Sequence, residues 1–285
     1  MQELLVGYVS AIEKDLSVKT ADKIYELLRK CGLLAFGEIM FDIQSDQFKR
    51  IKQFLPHMAS EQVQRDWTGN SGTPLLMQSL DFVRSVTTSY CALTGRDISG
   101  AKVLDFGCGY GRIARLMYFF TDPVRIIGVD PWDRSIEICR DCGLGDNFRQ
   151  SEYLPDMLPC EVTFDFIYAF SVFTHLSEKV TLKCLSTLRK YISPNGLLCI
   201  TIRPIEYWQH HQPQDERIAG LVRTHRRVGF AFQPHVRDPI DGEIPYGDTS
   251  ITPEWLAENS PEWRMLGLDA SYLDEGQLYL YLAPA

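Results

Sequence analysis

The chain of 285 residues contains no apolar run long enough to span a membrane. Its first residues carry neither the basic segment nor the long apolar core of a secretory signal peptide. Basic residues are in deficit, because 29 Lys and Arg stand against 37 Asp and Glu, which gives a formal net charge of −8. Phosphate binding requires a basic face. These absences predict a cytoplasmic protein that binds neither a membrane nor a nucleic acid.

The chain also lacks the cysteine spacing of a disulfide framework or a zinc site. Its eight cysteines are scattered, which in a chain of this length predicts reduced thiols. Cys139 and Cys142 have the spacing of half a zinc site, but no second pair follows at ligand spacing. Adjacent histidines point to opposite sides of a strand, so His210 and His211 are poorly placed to share an ion. We therefore predict no metal site.

What the chain does contain is a glycine-rich turn between a predicted strand and a predicted helix. A short apolar run ends at Leu104, and Gly107, Gly109 and Gly111 follow at alternate positions before apolar residues recur at helical spacing. Glycine allows positive φ and lets a ligand approach the backbone closely. The free N–H groups of the helix start face such a ligand. The turn therefore predicts a cofactor site, in which Cys108 is a small residue that fits.

The spacing of these glycines argues against a nicotinamide dinucleotide. That fingerprint, G-x-G-x-x-G, places its third glycine where this chain has Arg112. Asp105 lies two residues before the first glycine, and a carboxylate there favours a ligand with an ammonium or sulfonium centre over a pyrophosphate. Asp130 ends the next predicted strand about 20 residues further on, where an acid can accept both ribose hydroxyls. Pro131 and Trp132 follow it, and Trp132 is placed to lie along an adenine.

The D-x-G-x-G-x-G pattern from Asp105 to Gly111 resembles the first motif of class I S-adenosylmethionine (SAM)-dependent methyltransferases. This resemblance implies SAM as the cofactor, with its aminocarboxypropyl end on the glycine turn. Residues 164–177 are similar to the fourth strand of that family and the loop after it. The implied fold is α/β, a doubly wound, Rossmann-like, seven-stranded mixed sheet that ends in a C-terminal antiparallel hairpin.

The same resemblance implies cofactor-binding residues at three further places. They are the segment before the first strand, which closes over the methionine end of the cofactor, the residues that follow the third strand and bond the adenine, and the end of the fourth strand. In this chain the corresponding residues are Trp67 and Gly69, Ser151 and Glu152, and Phe170 and Ser171. For Trp67 a second interpretation stays open, in which its ring plugs a hydrophobic edge.

His175 is the candidate catalytic residue. It lies just beyond the predicted fourth strand, on the substrate side of the crevice, and histidine accepts a proton near neutral pH. Methyl transfer requires a base only where the acceptor loses a proton. Two roles therefore stay open for His175, that of general base and that of orienting the helix that follows Ser177.

Two segments lie outside the resemblance. Residues 1–60 predict a helical N-terminal extension, which is either a substrate-selecting lid or a packing and partner surface. Residues 61–285 predict the methyltransferase domain, interrupted at about 204–262 by an insertion rich in histidine, proline and aromatic residues that exceeds an ordinary connection. We expect this insertion to cover the substrate.

The sequence as a whole predicts SAM-dependent methyl transfer to a small-molecule acceptor. The polar and aromatic insertion favours a hydroxyl or amine of a sugar, a glycan or a natural product. Two alternatives stay open, a SAM-binding interaction module without activity and an NAD-dependent oxidoreductase. The sequence predicts no particular oligomeric state.

Overall fold

The computed structural model describes residues 3–15, 17–43, 45–209, 215–240, 242, 244–274 and 276–285. His210 and His211 lie outside the described residues, so the prediction that they hold no metal stays a prediction. Within the described ranges, no helix is both long and apolar enough to cross a membrane.

A seven-stranded mixed sheet forms the centre of the fold. The strands of the chain are β1 (Val103–Phe106), β2 (Ile126–Asp130), β3 (Phe148–Gln150), β4 (Phe164–Ala169), β5 (Ile192–Ile202), β6 (Phe230–Pro234), β7 (Gly247–Ile251), β8 (Trp263–Ala270) and β9 (Leu278–Pro284). The order across the sheet is β3-β2-β1-β4-β5-β9-β8, and β6 pairs with β7 in a separate ribbon. The first five strands are parallel, whereas β9 is antiparallel to both β5 and β8. The predicted fold class, including its antiparallel hairpin, is confirmed.

Helices cover both faces of this sheet, and the side chains buried between helices and sheet form two hydrophobic clusters. The helices are α1 (Glu3–Lys14), α2 (Ala21–Arg29), α3 (Leu33–Met40), α4 (Lys49–Lys52), α5 (Glu61–Thr68), α6 (Gly72–Thr94), α7 (Arg112–Met117), α8 (Asp133–Asp141), α9 (Glu178–Tyr191), α10 (Glu206–Gln209), α11 (Glu216–Val228) and α12 (Pro253–Asn259). Val103 of β1 belongs to one cluster and its neighbour Leu104 to the other. Successive side chains of a strand point to opposite faces, so each face of β1 is covered by its own cluster.

The N-terminal residues are helical, as predicted, and they share the core of the domain. The hydroxyl of Thr20 caps α2 by accepting a hydrogen bond of 3.3 Å from the backbone of Lys23. The guanidinium of Arg29 donates to the carbonyl of Tyr118, which follows α7, over 2.8 Å. Helices α2 and α3 pack into the same hydrophobic cluster as α6 and α7. The domain boundary at residue 60 stays a prediction.

The insertion after β5 folds into α10, α11 and the β6–β7 ribbon. Ser250 of the ribbon joins these parts, because its hydroxyl lies 2.6 Å from Nε1 of Trp208 and 2.7 Å from Nδ1 of His225. The ribbon in turn docks on the loop that follows β4. The backbone N–H of Gly247 donates to the carbonyl of His175 over 2.8 Å, and that of Thr249 to the carbonyl of Thr174 over 2.9 Å. The insertion therefore reaches the edge of the sheet where the predicted site lies.

Candidate functional site

A cavity of about 790 Å³ opens at the carboxyl ends of β1, β2, β4 and β5. This is where open α/β sheets bind their ligands. Most of the residues predicted from the sequence line it together. They are Trp67, Asp105, Gly107, Cys108, Gly109, Asp130, Pro131, Trp132, Ser151, Glu152, Phe170, Ser171 and His175.

The glycine turn presents one open position to the cavity. Gly109 has a φ of 52°, and a Cβ at this position would meet only the ring of Trp67, at 3.9 Å. Gly107 is different, because a Cβ there would lie 2.3 Å from Cγ2 of Val172. The N–H of Gly107 donates to the carbonyl of Val129 over 2.8 Å, which holds the turn against β2. The missing side chain at Gly109 therefore leaves room for a ligand, whereas the missing side chain at Gly107 leaves room for Val172.

Two predicted cofactor residues, Gly111 and Gly69, do not line the cavity. Gly111 is the N-cap residue that precedes α7, with a φ of 73°, and a Cβ on it would lie 2.4 Å from Cδ1 of Leu144, within the core. Gly69 ends α5 in the left-handed region, and its N–H donates to the carbonyl of Arg65 over 2.8 Å. Both residues allow the backbone to turn at a helix end near the cavity, since only glycine adopts these positive-φ conformations without cost.

Asp130 is held by two backbone N–H groups. Its Oδ2 accepts from Gly109 over 2.9 Å, and its Oδ1 accepts from Trp132 over the same distance. Burial raises the pKa of this carboxyl, and the two N–H donors act against that rise. A carboxylate has about four lone-pair sites, so these two bonds leave acceptor capacity on the side that faces the cavity.

Asp105 carries a buried carboxylate oxygen that lacks a partner. The residue is 2% exposed, and its Oδ2 has no hydrogen-bond donor among the described residues. Burial raises its pKa to about 7, while the hydroxyl of Tyr168 acts in the opposite direction. Buried polar groups are almost always paired. An unpaired oxygen on the wall of a cavity therefore indicates a ligand that donates a hydrogen bond there.

Two tryptophans stack at the same end of the cavity. The rings of Trp67 and Trp132 lie 4.6 Å apart with an interplanar angle of 26°, and the ring of Tyr110 lies 5.5 Å from Trp67. Trp132 is 45% exposed, whereas Trp67 is half-buried against the core. Trp67 therefore lies over the glycine turn from the solvent side, and Trp132 offers an exposed aromatic ring beside Asp130.

The ring of His175 is hydrogen-bonded at both nitrogens. Nδ1 lies 2.7 Å from the carbonyl oxygen of Gly247, which can only accept, so Nδ1 carries the proton. Nε2 then accepts from the guanidinium of Arg203 over 3.2 Å. Burial, followed by the charge of Arg203, lowers the pKa of His175 to about 4. The ring is therefore neutral at pH 7.

The neighbours of His175 form a connected polar group. The ring of Tyr246 stacks on His175 at 4.9 Å with an interplanar angle of 5°. Arg203 donates to Oδ1 of Asp248 over 2.6 Å, and Oδ2 of the same carboxylate lies 3.0 Å from Nε2 of His235. This group joins the loop after β4, the end of β5 and the β6–β7 ribbon, so it fixes the wall of the cavity opposite the glycine turn.

A family model described as a methyltransferase domain matches residues 82–230, slightly more than half of the chain. The chain belongs to this methyltransferase domain family. The cofactor of such methyltransferases is SAM, which argues against the oxidoreductase alternative. The matched segment contains β1 to β5, the glycine turn, Asp130 and His175, whereas Trp67, Arg237 and Tyr246 of the cavity lining lie outside it.

A solved methyltransferase shares the fold at low sequence identity. The CcbJ methyltransferase from Streptomyces caelestis is 14% identical with a TM-score of 0.51, over 79% of this chain and 96% of that one. A SAM-dependent methyltransferase from Clostridium acetobutylicum is 12% identical with a TM-score of 0.49, over 73% of this chain and 91% of that one. Uncharacterized protein RP028 of Rickettsia prowazekii is 30% identical over 113 residues, which are 38% of this chain and 45% of that protein. This methyltransferase therefore spans less than half the length of the curated relative.

Arg112 is a residue of the cavity lining that the sequence analysis did not single out. Its side chain is buried, lies 5.0 Å from the ring centroid of Phe170, and donates to Ser79 over 2.9 Å and to Gln78 over 3.2 Å. It lines the cavity on the same side as Asp105. The sequence presented it as the first residue of an amphipathic helix. Its position directly after the third glycine of the turn was the feature of the sequence that could have indicated a place in the cavity lining.

The far end of the cavity contains further residues that the sequence did not assign to the site. They are contributed by the insertion and by the strand end before it, and they include Arg203, Arg237, Pro245 and Tyr246. Arg237, Pro245 and Tyr246 belong to the insertion that was expected to cover the substrate, but no local pattern singled out these particular residues, because each is distant in sequence from the glycine turn.

Proposed function

We propose that this methyltransferase transfers the methyl group of SAM to a hydroxyl or amine of a small molecule, of the sugar, glycan or natural-product type. The observation that carries the proposal is the two-part cavity. One part contains the glycine turn, Asp105 and Asp130, and the other is walled by His175 and Tyr246. Such concave sites with a few converging polar groups are typical of small-molecule binding.

The residues of the first part fit SAM in charge and in hydrogen bonding. The unpartnered Oδ2 of Asp105 suits an ammonium donor, and the buried guanidinium of Arg112 suits the carboxylate of the same amino-acid end. Asp130 retains acceptor capacity for ribose hydroxyls, and the exposed ring of Trp132 offers a surface for the adenine. Ser151 and Glu152 line the cavity next to them and would bond its polar edge.

SAM, when bound, supplies a methyl group on a sulfonium, so transfer is a direct displacement. The task of the chain is to align the acceptor with that methyl group and to keep water away. Phe170 and Val172 line the cavity between its two parts and provide apolar surface there. Ser171, between them, has a φ of 59°, and its N–H donates to the hydroxyl of Thr201 over 2.7 Å. This bond fixes the backbone at the junction of the two parts.

For His175 we propose the orienting role rather than that of general base. Both of its nitrogens are engaged with protein atoms, and its lowered pKa makes it a weak proton acceptor at neutral pH. Its ring supports the face of Tyr246 and receives Arg203. The residue thereby holds the acceptor wall in place. The helix α9, which begins at Glu178 after Ser177, starts only three residues further on.

We also propose that the insertion, and not the N-terminal extension, covers the acceptor. Arg237, Pro245 and Tyr246 of the insertion line the cavity. Among the described residues before Asp66, none does. The extension instead contacts the far end of α7, where Arg29 donates to the carbonyl of Tyr118 over 2.8 Å, and Arg115 of α7 donates to the carbonyl of His57 over 2.7 Å. This arrangement favours the packing role that was left open for residues 1–60.

The test has a binding step and an activity step. Calorimetric titration with SAM, S-adenosylhomocysteine (SAH) and NAD is expected to show binding of the first two and not of NAD. Formation of SAH is then measured over a panel of sugars, amines and phenols, with RNA and unfolded protein as competing acceptors. Turnover on a small molecule that is lost in Asp130→Ala supports the proposal. Turnover on the macromolecules alone contradicts it.

A further inference from the structure

The lining of the cavity is divided by charge. Its carboxylates belong to the elements around the glycine turn and to the β8–β9 connection, and they are Asp66, Asp105, Asp130, Glu152 and Asp274. Among the described lining residues between 170 and 246, there are two arginines, Arg203 and Arg237, and no carboxylate. The carboxylates thus lie around the cofactor end, where Arg112 is the one arginine of the described lining, and the arginines Arg203 and Arg237 lie at the acceptor end.

The charge of Arg203 is already compensated by the protein. Its side chain is 11% exposed and forms an ion pair of 2.6 Å with Asp248. The same nitrogen donates to the carbonyl of Thr174 over 2.9 Å, and its other terminal nitrogen donates to His175. Arg203 is therefore a structural cation, and it is not the group that would select a ligand by charge.

Arg237 is placed differently. Its guanidinium lies 4.4 Å from the ring centroid of Tyr246, on the wall of the cavity, and its side chain is exposed. Within the described part of the chain Arg237 forms no ion pair, and this includes its neighbour Asp238. Tyr153, which follows β3, also lines the cavity; burial raises its pKa, and the nearby charge of Arg237 acts in the opposite direction. A cation thus extends over the acceptor end from an aromatic support, with its donors available.

Tyr246 fixes where that cation lies. The tyrosine ring is stacked on His175, and His175 is held by Gly247 and Arg203. A guanidinium over an aromatic face is stabilised by cation–π attraction and stays able to donate in its own plane. The planar fork of arginine matches a carboxylate or phosphate with two parallel hydrogen bonds.

From this geometry we infer that the acceptor carries an anionic group, a carboxylate or a phosphate, which Arg237 binds at the mouth of the cavity. The inference rests on the proposed function, because it names the acceptor class of the same site. It also gives a role to Arg237, the arginine at the acceptor end whose charge no described residue compensates by an ion pair.

The experiment compares three probes that share a phenyl ring and differ in charge, namely benzoate, phenyl phosphate and benzamide. Each is titrated into the protein saturated with SAH, and binding is followed by intrinsic tryptophan fluorescence and by calorimetry. We expect at least one anionic probe to bind roughly fivefold to tenfold more tightly than benzamide, as a charge-assisted pair predicts. The ratio of benzoate to phenyl phosphate affinity identifies which anion the site prefers.

Arg237→Gln is expected to bring all three affinities to within about twofold of one another, since the charge is removed and a polar side chain is kept. The matched control is Arg226→Gln, which makes the same change at an exposed position of α11 outside the cavity and should leave the preference intact. Benzamide binding as tightly as the anions, a preference that survives Arg237→Gln, or no saturable binding of either anion overturns the inference alone. A protein that binds neither SAM nor SAH overturns the proposed function, and the inference with it.

Discussion

The backbone N–H of Gly109 donates a hydrogen bond of 2.9 Å to Oδ2 of Asp130, across 21 positions of sequence. The second oxygen of the same carboxylate accepts from the N–H of Trp132. The acid at the end of β2 therefore orders the glycine turn at the end of β1, in addition to any contact with a ribose. Two sequence motifs that are separate in the chain form one unit in the fold.

Asp130→Ala and Asp130→Asn should both weaken SAM binding. The alanine leaves two N–H groups without their acceptor, and the asparagine turns an N–H₂ donor toward one of them. We expect a loss of about tenfold or more in SAM affinity and of about 1–3 kcal/mol in the free energy of unfolding, the cost of an unsatisfied buried group. Calorimetry and denaturant unfolding measure the two quantities.

The matched control for this substitution is Asp133→Asn. Asp133 begins α8 three residues further on, is exposed, and does not line the cavity. Its SAM affinity should equal that of the wild type. An Asp130→Asn variant that also retains wild-type affinity would show that the carboxylate neither orders the turn nor holds the ribose.

Asp105 should make SAM affinity depend on pH near neutrality. Burial raises its pKa to about 7, so at lower pH the carboxyl is protonated and offers no charge to an ammonium. Affinity should rise by roughly tenfold between about pH 6 and pH 8 as the fraction of ionised carboxyl grows. In Asp105→Asn this part of the pH dependence should disappear. A wild type and a variant with the same pH profile would contradict the assignment of Asp105 to the ammonium.

The same shift predicts a change in stability with the opposite sign. Because the folded-state pKa lies above the ordinary value of 3.8, the folded protein binds the extra proton between these two values. The contribution of Asp105 to stability is therefore fully present below about pH 4 and is lost as the pH rises through 7. Denaturant unfolding of wild type and Asp105→Asn at several pH values should show the two curves diverge in this window.

The parts of this fold that local sequence encodes were predicted from the sequence. The five parallel strands, the glycine turn and the helix from Glu178 to Tyr191 follow from runs of apolar residues with breakers between them. Asp105 and Asp130, which both line the cavity, were predicted as cofactor residues because each stands at a fixed offset from the turn. Each of these signals can be read from a short segment of sequence or from a fixed spacing between two such segments.

The other half of the site depends on contacts between distant segments. Gly247, which fixes the tautomer of His175, lies 72 positions away in sequence. Arg237 and Tyr246 reach the cavity only because the β6–β7 ribbon docks on the loop after β4. Gly111 and Gly69 show the converse. Both were predicted to contact the cofactor, but their positive φ explains why each is a glycine, and at Gly111 close packing against Leu144 is a second reason. A pattern of residue types does not tell which side of a turn faces the ligand.

The two roles of His175 predict different results for two substitutions. An orienting residue can be replaced by glutamine, whose amide can donate to the carbonyl of Gly247 and accept from Arg203, so His175→Gln should keep turnover within about threefold of wild type. His175→Ala loses both bonds and should lower turnover more. A general base would instead lose about 10²- to 10⁴-fold in both variants. SAM affinity should stay nearly unchanged in each, and initial rates of SAH formation on the acceptor measure the difference.

Gly109→Ala and Gly111→Ala should separate binding from folding. Both positions have positive φ, so alanine costs about 1 kcal/mol at each from backbone strain alone. At Gly109 the added methyl group meets nothing closer than the Trp67 ring at 3.9 Å, and it enters the space left for the ligand. This variant should therefore fold with a small loss of stability and bind SAM at least about tenfold more weakly, as a methyl group in a close backbone contact predicts.

At Gly111 the methyl group would lie 2.4 Å from Leu144 and 3.3 Å from the ring of Phe148, both in the core. Overpacking of this kind costs about 1–3 kcal/mol in addition to the strain, so Gly111→Ala should lose more stability than Gly109→Ala. Because Gly111 does not line the cavity, the folded fraction of that variant should retain more SAM affinity than Gly109→Ala. Denaturant unfolding of the two variants tests the predicted order of their stabilities, and calorimetry tests the predicted order of their SAM affinities. A reversed order in affinity would place Gly111, and not Gly109, against the cofactor.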